Sequence, residues 1–227
     1  MTGARQFLRS NGLTLAFFGI FLAALFGESV VGVADYNQHQ LVQGAETVSY
    51  VHYLLSSSFA VDVAENWQSE YLQFLLYIVA TVWLVQRGSP ESKELGKEGT
   101  ESDEEQKVGE YADEDSPALA RVRGFRGFVY SRSLGLLMGA IFLLSWLAQS
   151  VAGTAAYNSD QIQQLQDPVT WWGYTSSPDF WSRTLQNWQS EFLAVASMCA
   201  FSIYLRQRGS SESKPVGAAH AATGIEG

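Results

Sequence analysis

Glu70 and Glu191 end two nearly identical strings, ENWQSE at 65–70 and QNWQSE at 186–191, and a long apolar run follows each. On a helix, Asn66, Ser69 and Glu70 lie at spacings of three and four and so share a face, as do Asn187, Ser190 and Glu191. A carboxylate at the edge of an apolar run can accept bonds from loop amides as a structural anchor. It can also hold a cation or share a proton with its twin, since two nearby carboxyls raise each other's pKa. An ionisable group at membrane depth is a functional candidate because leaving it charged against lipid costs several kcal/mol. Both readings stay open. Glu28 is a third carboxyl of this kind, but Gln149 stands 121 positions on, so a role needing charge in both strings falls to Glu70 and Glu191.

Other chemistries find little material. His39 and His52 correspond at the same offset to Asp160 and Gly173, and neither makes a His-Glu-x-x-His pattern. No nucleophile elbow, phosphate loop or repeated Cys/His cluster is present, so no catalytic residue, metal ligand or cofactor is assigned. The single cysteine, Cys199, sits in an apolar run, where a thiol stays protonated and inert. The formal net charge is -9, and 11 of the 23 acids crowd into 91–115. No face carries the clustered Lys/Arg that phosphate neutralisation requires, which argues against nucleic acid as a partner.

The elements that position these groups are four apolar stretches: Leu13 to Ala34, Asn66 to Val85, Leu134 to Ala156 and Phe192 to Leu205. At about 1.5 Å per residue, some 20 residues cross a hydrocarbon core of about 30 Å. The predicted fold is therefore all-α and integral to a membrane, with four transmembrane helices. Two alternatives remain: a soluble bundle of buried helices, and a cleaved signal peptide in place of the first stretch, with Arg5 and Arg9 before it and Gly32-Val33-Ala34 as the cleavage site. With four spans, 13 of the 14 Lys/Arg share one side, and only Arg183 falls on the other. The positive-inside rule makes that side the cytoplasm, with both termini on it. The segments 35–65 and 157–186 then face outward as loops of about thirty residues.

Shifting the sequence by 121 positions aligns its halves without a gap: between Ser29 and Lys93, 26 of 65 residues match their partners. A period of this kind signals duplication. Each copy crosses the membrane twice, so the two are parallel repeats, and a pseudo-two-fold four-helix bundle is expected. The predicted organisation is a first membrane repeat at 1–88, an acidic disordered cytoplasmic linker at 89–120, a second repeat at 121–210 and a disordered tail at 211–227. Trp67, Trp188, Tyr36 and Tyr157 recur at the helix ends, as an aromatic belt would; a stacking surface for a lipid or sugar is the alternative. Gly19, Ala23 and Gly27, and also Gly135 and Gly139, form small-residue faces through which helices or a second copy of the chain could pack closely.

The strings N-W-Q-S-E-[FY]-L and Q-R-G-S-x-E-S-K, with S-V-x-G and Y-N upstream, resemble a family of uncharacterised bacterial membrane proteins grouped as a domain of unknown function. The resemblance covers the chain outside the acidic linker. It implies a four-helix protein of the bacterial cytoplasmic membrane and carries no activity, cofactor or site residue with it. Three functional classes follow from the residues: a structural or envelope-associated membrane protein without turnover, a small channel or proton- or cation-coupled transporter using the repeated glutamates, and an intramembrane enzyme. The polar groups crowd toward the outer third and leave the middle of each span apolar, which favours the first. The bilayer itself is the expected partner, besides a second copy of the chain packed through the glycine faces.

Overall fold

The computed structural model describes residues 3–225; the outermost two residues at each end of the predicted organisation lie outside that range. Among the described residues the chain is all-helical, with eight α-helices and two short 3-10 turns. They are α1 (Gly3–Ser10), α2 (Gly12–Val42), α3 (Tyr50–Leu54), α4 (Ser57–Trp83), α5 (Phe125–Ser131), α6 (Ser133–Gln163), α7 (Trp171–Thr175) and α8 (Pro178–Tyr204). Each bound of α2, α3 and α4 recurs 121 positions later in α6, α7 and α8.

Local chemistry sets these bounds. α2 contains no proline and runs through the polar stretch after Ala34 until Gly44, whose φ of 75° is readily adopted without a Cβ. At the matching place after α6, Leu165 takes φ 57°, a left-handed conformation uncommon for a side chain of that size. Ser49 caps α3 by accepting from the His52 amide at 3.3 Å, and Ser177 caps α8 by accepting from the Phe180 amide at 3.3 Å, with Pro178 in the first turn. Ser56 accepts from the Phe59 amide at 3.2 Å in the same way ahead of α4. The outward segments, expected as loops of about thirty residues, are thus largely helical. Polar composition alone does not stop a helix when caps and breakers stand elsewhere.

Two of the helices, Gly12–Val42 and Ser133–Gln163, are long and apolar enough to cross a membrane. Only 6% of the most apolar window of α2 and 17% of that of α6 is buried. Phe17, Phe18, Ile20 and Phe26 of α2, and Leu137, Leu143 and Leu144 of α6, lie exposed. α4 and α8 are each 27 residues long but carry charge in their first halves, Asp62, Glu65 and Glu70 in one and Asp179, Arg183 and Glu191 in the other, which lowers their hydropathy. Of the small-residue faces, a Cβ at Gly19, Gly27 or Gly135 would meet nothing within 4 Å, whereas one at Gly139 would touch Leu75 at 3.6 Å.

The chain divides into two compact units, 1–63 with 150–174, and 64–149 with 175–227. In the first, two turns are built alike. Asn37 Nδ2 donates to the Val48 carbonyl at 3.0 Å while its Oδ1 accepts from the Val48 amide at 2.7 Å; Asn158 does the same to Val169 at 2.9 and 2.8 Å. Tyr53 lies across Gly32, and Tyr174 across Gly153, so closely that neither glycine has room for a Cβ. Tyr36 and Tyr157 pack against these tyrosines with ring centroids 5.6 and 5.4 Å apart. Both buried tyrosines are almost wholly withdrawn from solvent. Burial pushes the Tyr53 phenol up to about 12, and the Asp62, Glu28 and Asp35 carboxylates add to the shift.

In the second unit the helix-end turns repeat as well. The Ser92 hydroxyl accepts from the Gln86 amide at 2.7 Å, and the Ser213 hydroxyl from the Gln207 amide at 2.9 Å. Lys93 Nζ donates to the Gly99 carbonyl at 2.6 Å and meets Glu101 at 2.5 Å. Buried Lys214 donates to the carbonyls of Gly88 at 2.6 Å and His220 at 2.9 Å, which ties the 207–224 segment to the Q-R-G-S turn at 86–89. Gly88 N and Thr223 Oγ1 add a second tie at 2.9 Å.

Candidate functional site

The second unit carries a buried polar and aromatic cluster contributed by α4, α6 and α8. In the part of α4 that belongs to this unit the residues withdrawn from solvent are Ala64, Gln68, Ser69 and Leu72; Ala64, Gln68 and Leu72 are four apart, so Gln68 falls on an otherwise apolar inward stripe. In α8 the inward residues are Phe180 and Thr184, with half-buried Trp188 one turn further. α6 supplies Ser145, Trp146 and Gln149. Gln68, Gln149 and Thr184 have no measurable exposure.

The bonding is specific. Trp188 Nε1 donates to Gln68 Oε1 at 2.8 Å, and Gln149 Nε2 donates to Thr184 Oγ1 at 3.3 Å. Trp146 lies 6.1 Å from Trp188, 6.3 Å from Phe180 and 6.1 Å from Trp181, centroid to centroid. Above this cluster Arg183 reaches Glu65 at 3.2 Å and Asp179 at 3.6 Å. Burial pushes the Glu65 carboxyl above the usual carboxylate range, and the Arg183 guanidinium opposes that shift.

The glutamates singled out by the sequence sit beside this cluster. Glu70 is exposed and Glu191 half-buried, and the two are near enough to interact electrostatically. Ser69 is buried and donates to the Asn66 carbonyl at 2.9 Å; exposed Ser190 does the same to Asn187 at 2.9 Å. Asn187 Nδ2 donates to the Arg183 carbonyl at 3.1 Å, and Asn66 lies at the surface. The predicted face of Asn66, Ser69 and Glu70 is thus split, with Ser69 inward and the other two outward. Trp67 is 41% exposed, whereas Trp188 turns inward to Gln68. Glu28 is exposed on α2 and belongs to the first unit, as do the half-buried Tyr36 and Tyr157.

Sequence reasoning passed over Gln68, Trp146 and Thr184, and met Gln149 only as the counterpart of Glu28. The available signal was register: Gln68 shares its spacing with Val61, Ala64 and Leu72, the apolar stripe of α4. Among the described residues no group of three or more His, Cys, Asp or Glu could hold a metal ion.

A family model described as a domain of unknown function, DUF6766, matches residues 4–225. The chain belongs to that family. No curated protein and no solved structure matches it. Family membership brings no assigned chemistry to the cluster, so what the cluster does must be argued from its own atoms.

Proposed function

We propose that the chain is a multi-pass protein of the bacterial cytoplasmic membrane with a structural or envelope-associated role and no turnover. Its four crossing helices, the apolar parts of α2, α4, α6 and α8, form two parallel two-helix repeats, with both termini and the 89–120 linker in the cytoplasm. The observation that carries this reading is the exposure of α2 and α6: large apolar side chains face outward along most of their length. Against water such surface costs about 25 cal/mol per Å²; against lipid tails it costs little. The later halves of α4 and α8 agree, with Phe74, Leu76 and Val79 in one and Leu193, Met198 and Phe201 in the other exposed. The matched helix bounds and matched turns support the two-repeat arrangement. A homo-oligomer through Gly19, Ala23 and Gly27, or through Gly135 and Gly139, belongs to the same reading.

The proximity of Glu70 and Glu191 favours one rival, a proton- or cation-coupled transporter. A permeation path needs polar groups through the whole bilayer, and the inward residues beyond Glu70 on α4 begin with Leu72. Two experiments test the reading. Reporter fusions at Gly44, Gly99 and Gly173 should read outside, inside and outside, and an outside signal at Gly99 rules out the four-span topology. In liposomes, wild type and the Glu70→Gln, Glu191→Gln double variant should show the same background ion flux. A pH- or cation-driven flux that the folded double variant loses would establish transport instead.

A further inference from the structure

We infer that the buried cluster of the second unit is a binding site for one neutral hydroxylic oxygen, held between Gln68, Trp146 and Gln149. Three polar atoms of that cluster are sealed from solvent and lack a hydrogen-bond partner among the described residues: Gln68 Nε2, Trp146 Nε1 and Gln149 Oε1. A buried polar atom without a partner is destabilising, so three together call for a ligand.

Contacts already in place link the three residues. Trp188 Nε1 can only donate, so the end of the Gln68 amide facing it at 2.8 Å must be the oxygen, which leaves Nε2 as the free donor. Trp188 lies 6.1 Å from Trp146, ring to ring. Gln149 follows Trp146 by three residues on α6, on the same face, and is fixed through Nε2 to Thr184, which precedes Trp188 by four on α8. One turn each of α6 and α8 thus sets Trp146 and Gln149 beside Trp188 and Thr184, and the Trp188 bond joins Gln68 of α4 to them.

Their types choose the ligand. Two N–H donors and one carbonyl acceptor complement a group that accepts twice and donates once. A cation is excluded by the two donors, and none of Gln68, Trp146, Gln149, Thr184 and Trp188 carries the positive charge that an anion would need. A hydroxyl oxygen fits, and buried waters typically make about three bonds of this sort. The oxygen belongs either to an internal water or to the alcohol group of a glycerol-type lipid headgroup. This site does not depend on the proposed role of the protein, since it asks only that α4, α6 and α8 pack as described.

The test uses the full chain, isotopically labelled, in micelles of a detergent that has no hydroxyl group. Magnetisation transfer between the Trp146 indole proton and the water resonance, assigned with Trp146→Phe, is expected in the wild-type protein. In Gln149→Met, which keeps the shape and removes the acceptor along with the Nε2 bond to Thr184, that signal should fall several-fold. The Trp188 indole shift should stay in place, reporting that the Gln68 bond and the fold are intact. If transfer appears only after phosphatidylglycerol is added, and goes to the lipid hydroxyls, the lipid is the source; transfer to water without lipid makes it an internal water. No transfer to either, or transfer of undiminished strength in Gln149→Met, overturns the proposal. Should Gln149→Met fail to fold, the wild-type measurement alone still decides.

Discussion

Leu72 and Leu193 occupy the same place in ENWQSEYL and QNWQSEFL, yet one is 8% exposed and the other 63%. The same divergence runs along both helices: α4 turns Val61, Ala64, Gln68 and Leu72 inward, whereas the matching positions of α8, Ser182, Leu185, Gln189 and Leu193, lie outside. α8 buries Phe180 and Thr184 instead. Two nearly identical strings therefore present different faces to their surroundings. The turns behave otherwise, since Asn37 and Asn158, Tyr53 and Tyr174, and Ser92 and Ser213 each repeat their contact. The difference lies in what each contact is aimed at. A turn asparagine reaches backbone of its own segment, and every copy supplies that. The glutamine cluster needs side chains on other helices, and at the corresponding positions Gln149 is replaced by Glu28, Thr184 by Val63 and Trp146 by Leu25. The matched contacts are confined to the turns and do not extend to the inward faces of α4 and α8.

The sharpest way to break that comparison is to truncate the shared leucine in each copy. Leu72→Ala should lower unfolding stability by about 2–5 kcal/mol, the range for removing a buried leucine. Leu193→Ala should stay within about 0.5 kcal/mol, as exposed substitutions do. Thermal or denaturant unfolding of both variants in the same detergent checks this. Equal losses would mean that the two helices bury equivalent faces after all.

A smaller effect is expected where the copies agree. Gly32→Ala pushes a methyl group into the Tyr53 side chain, and Gly153→Ala does so at Tyr174. Each tyrosine is buried and also packed against Tyr36 or Tyr157, so it has little freedom to move aside. Overpacking of this kind costs about 1–3 kcal/mol. The two variants should fall by similar amounts in the same unfolding assay; a loss confined to one would show that the turns are alike in form only.

How much of this was legible depends on the range of the interaction. The four long helices follow from apolar runs, and their recurrence follows from aligning the chain with itself. The turn residues were visible as types, Tyr36 with Asn37 and Tyr157 with Asn158, although their partners Val48 and Val169 were not, because an Asn-to-backbone bond leaves no mark on the accepting residue. Helix ends ran further than hydropathy suggested: the caps at Ser49, Ser56 and Ser177 and the turn at Gly44 set them, and hydropathy does not register caps. The cluster was harder to see. Attention goes to Glu70 because charge is conspicuous, whereas the buried polar residue two places earlier is neutral and becomes notable only once Val61, Ala64 and Leu72 are known to face inward. Which face of an amphipathic or apolar helix turns inward is a tertiary fact, and ENWQSEYL and QNWQSEFL show that the local string does not carry it.

The smallest predicted effect separates the first turn by its charge environment. Burial and the Asp62, Glu28 and Asp35 carboxylates hold the Tyr53 phenol at about 12 in the folded chain, against about 10 for an unperturbed tyrosine. A raised folded-state pKa means that the native protein keeps the proton longer than the unfolded chain. The stabilisation from the neutral phenol is therefore complete below the unfolded value and is lost as pH rises from about 10 toward about 12. Tyr53→Phe has no proton to lose, so its melting temperature should fall less steeply across that window than that of the wild type, whatever its absolute stability. Parallel curves would mean that Tyr53 ionises as readily in the folded chain as in the unfolded one, and that the carboxylates around it are too well solvated to be felt by the ring that closes over Gly32.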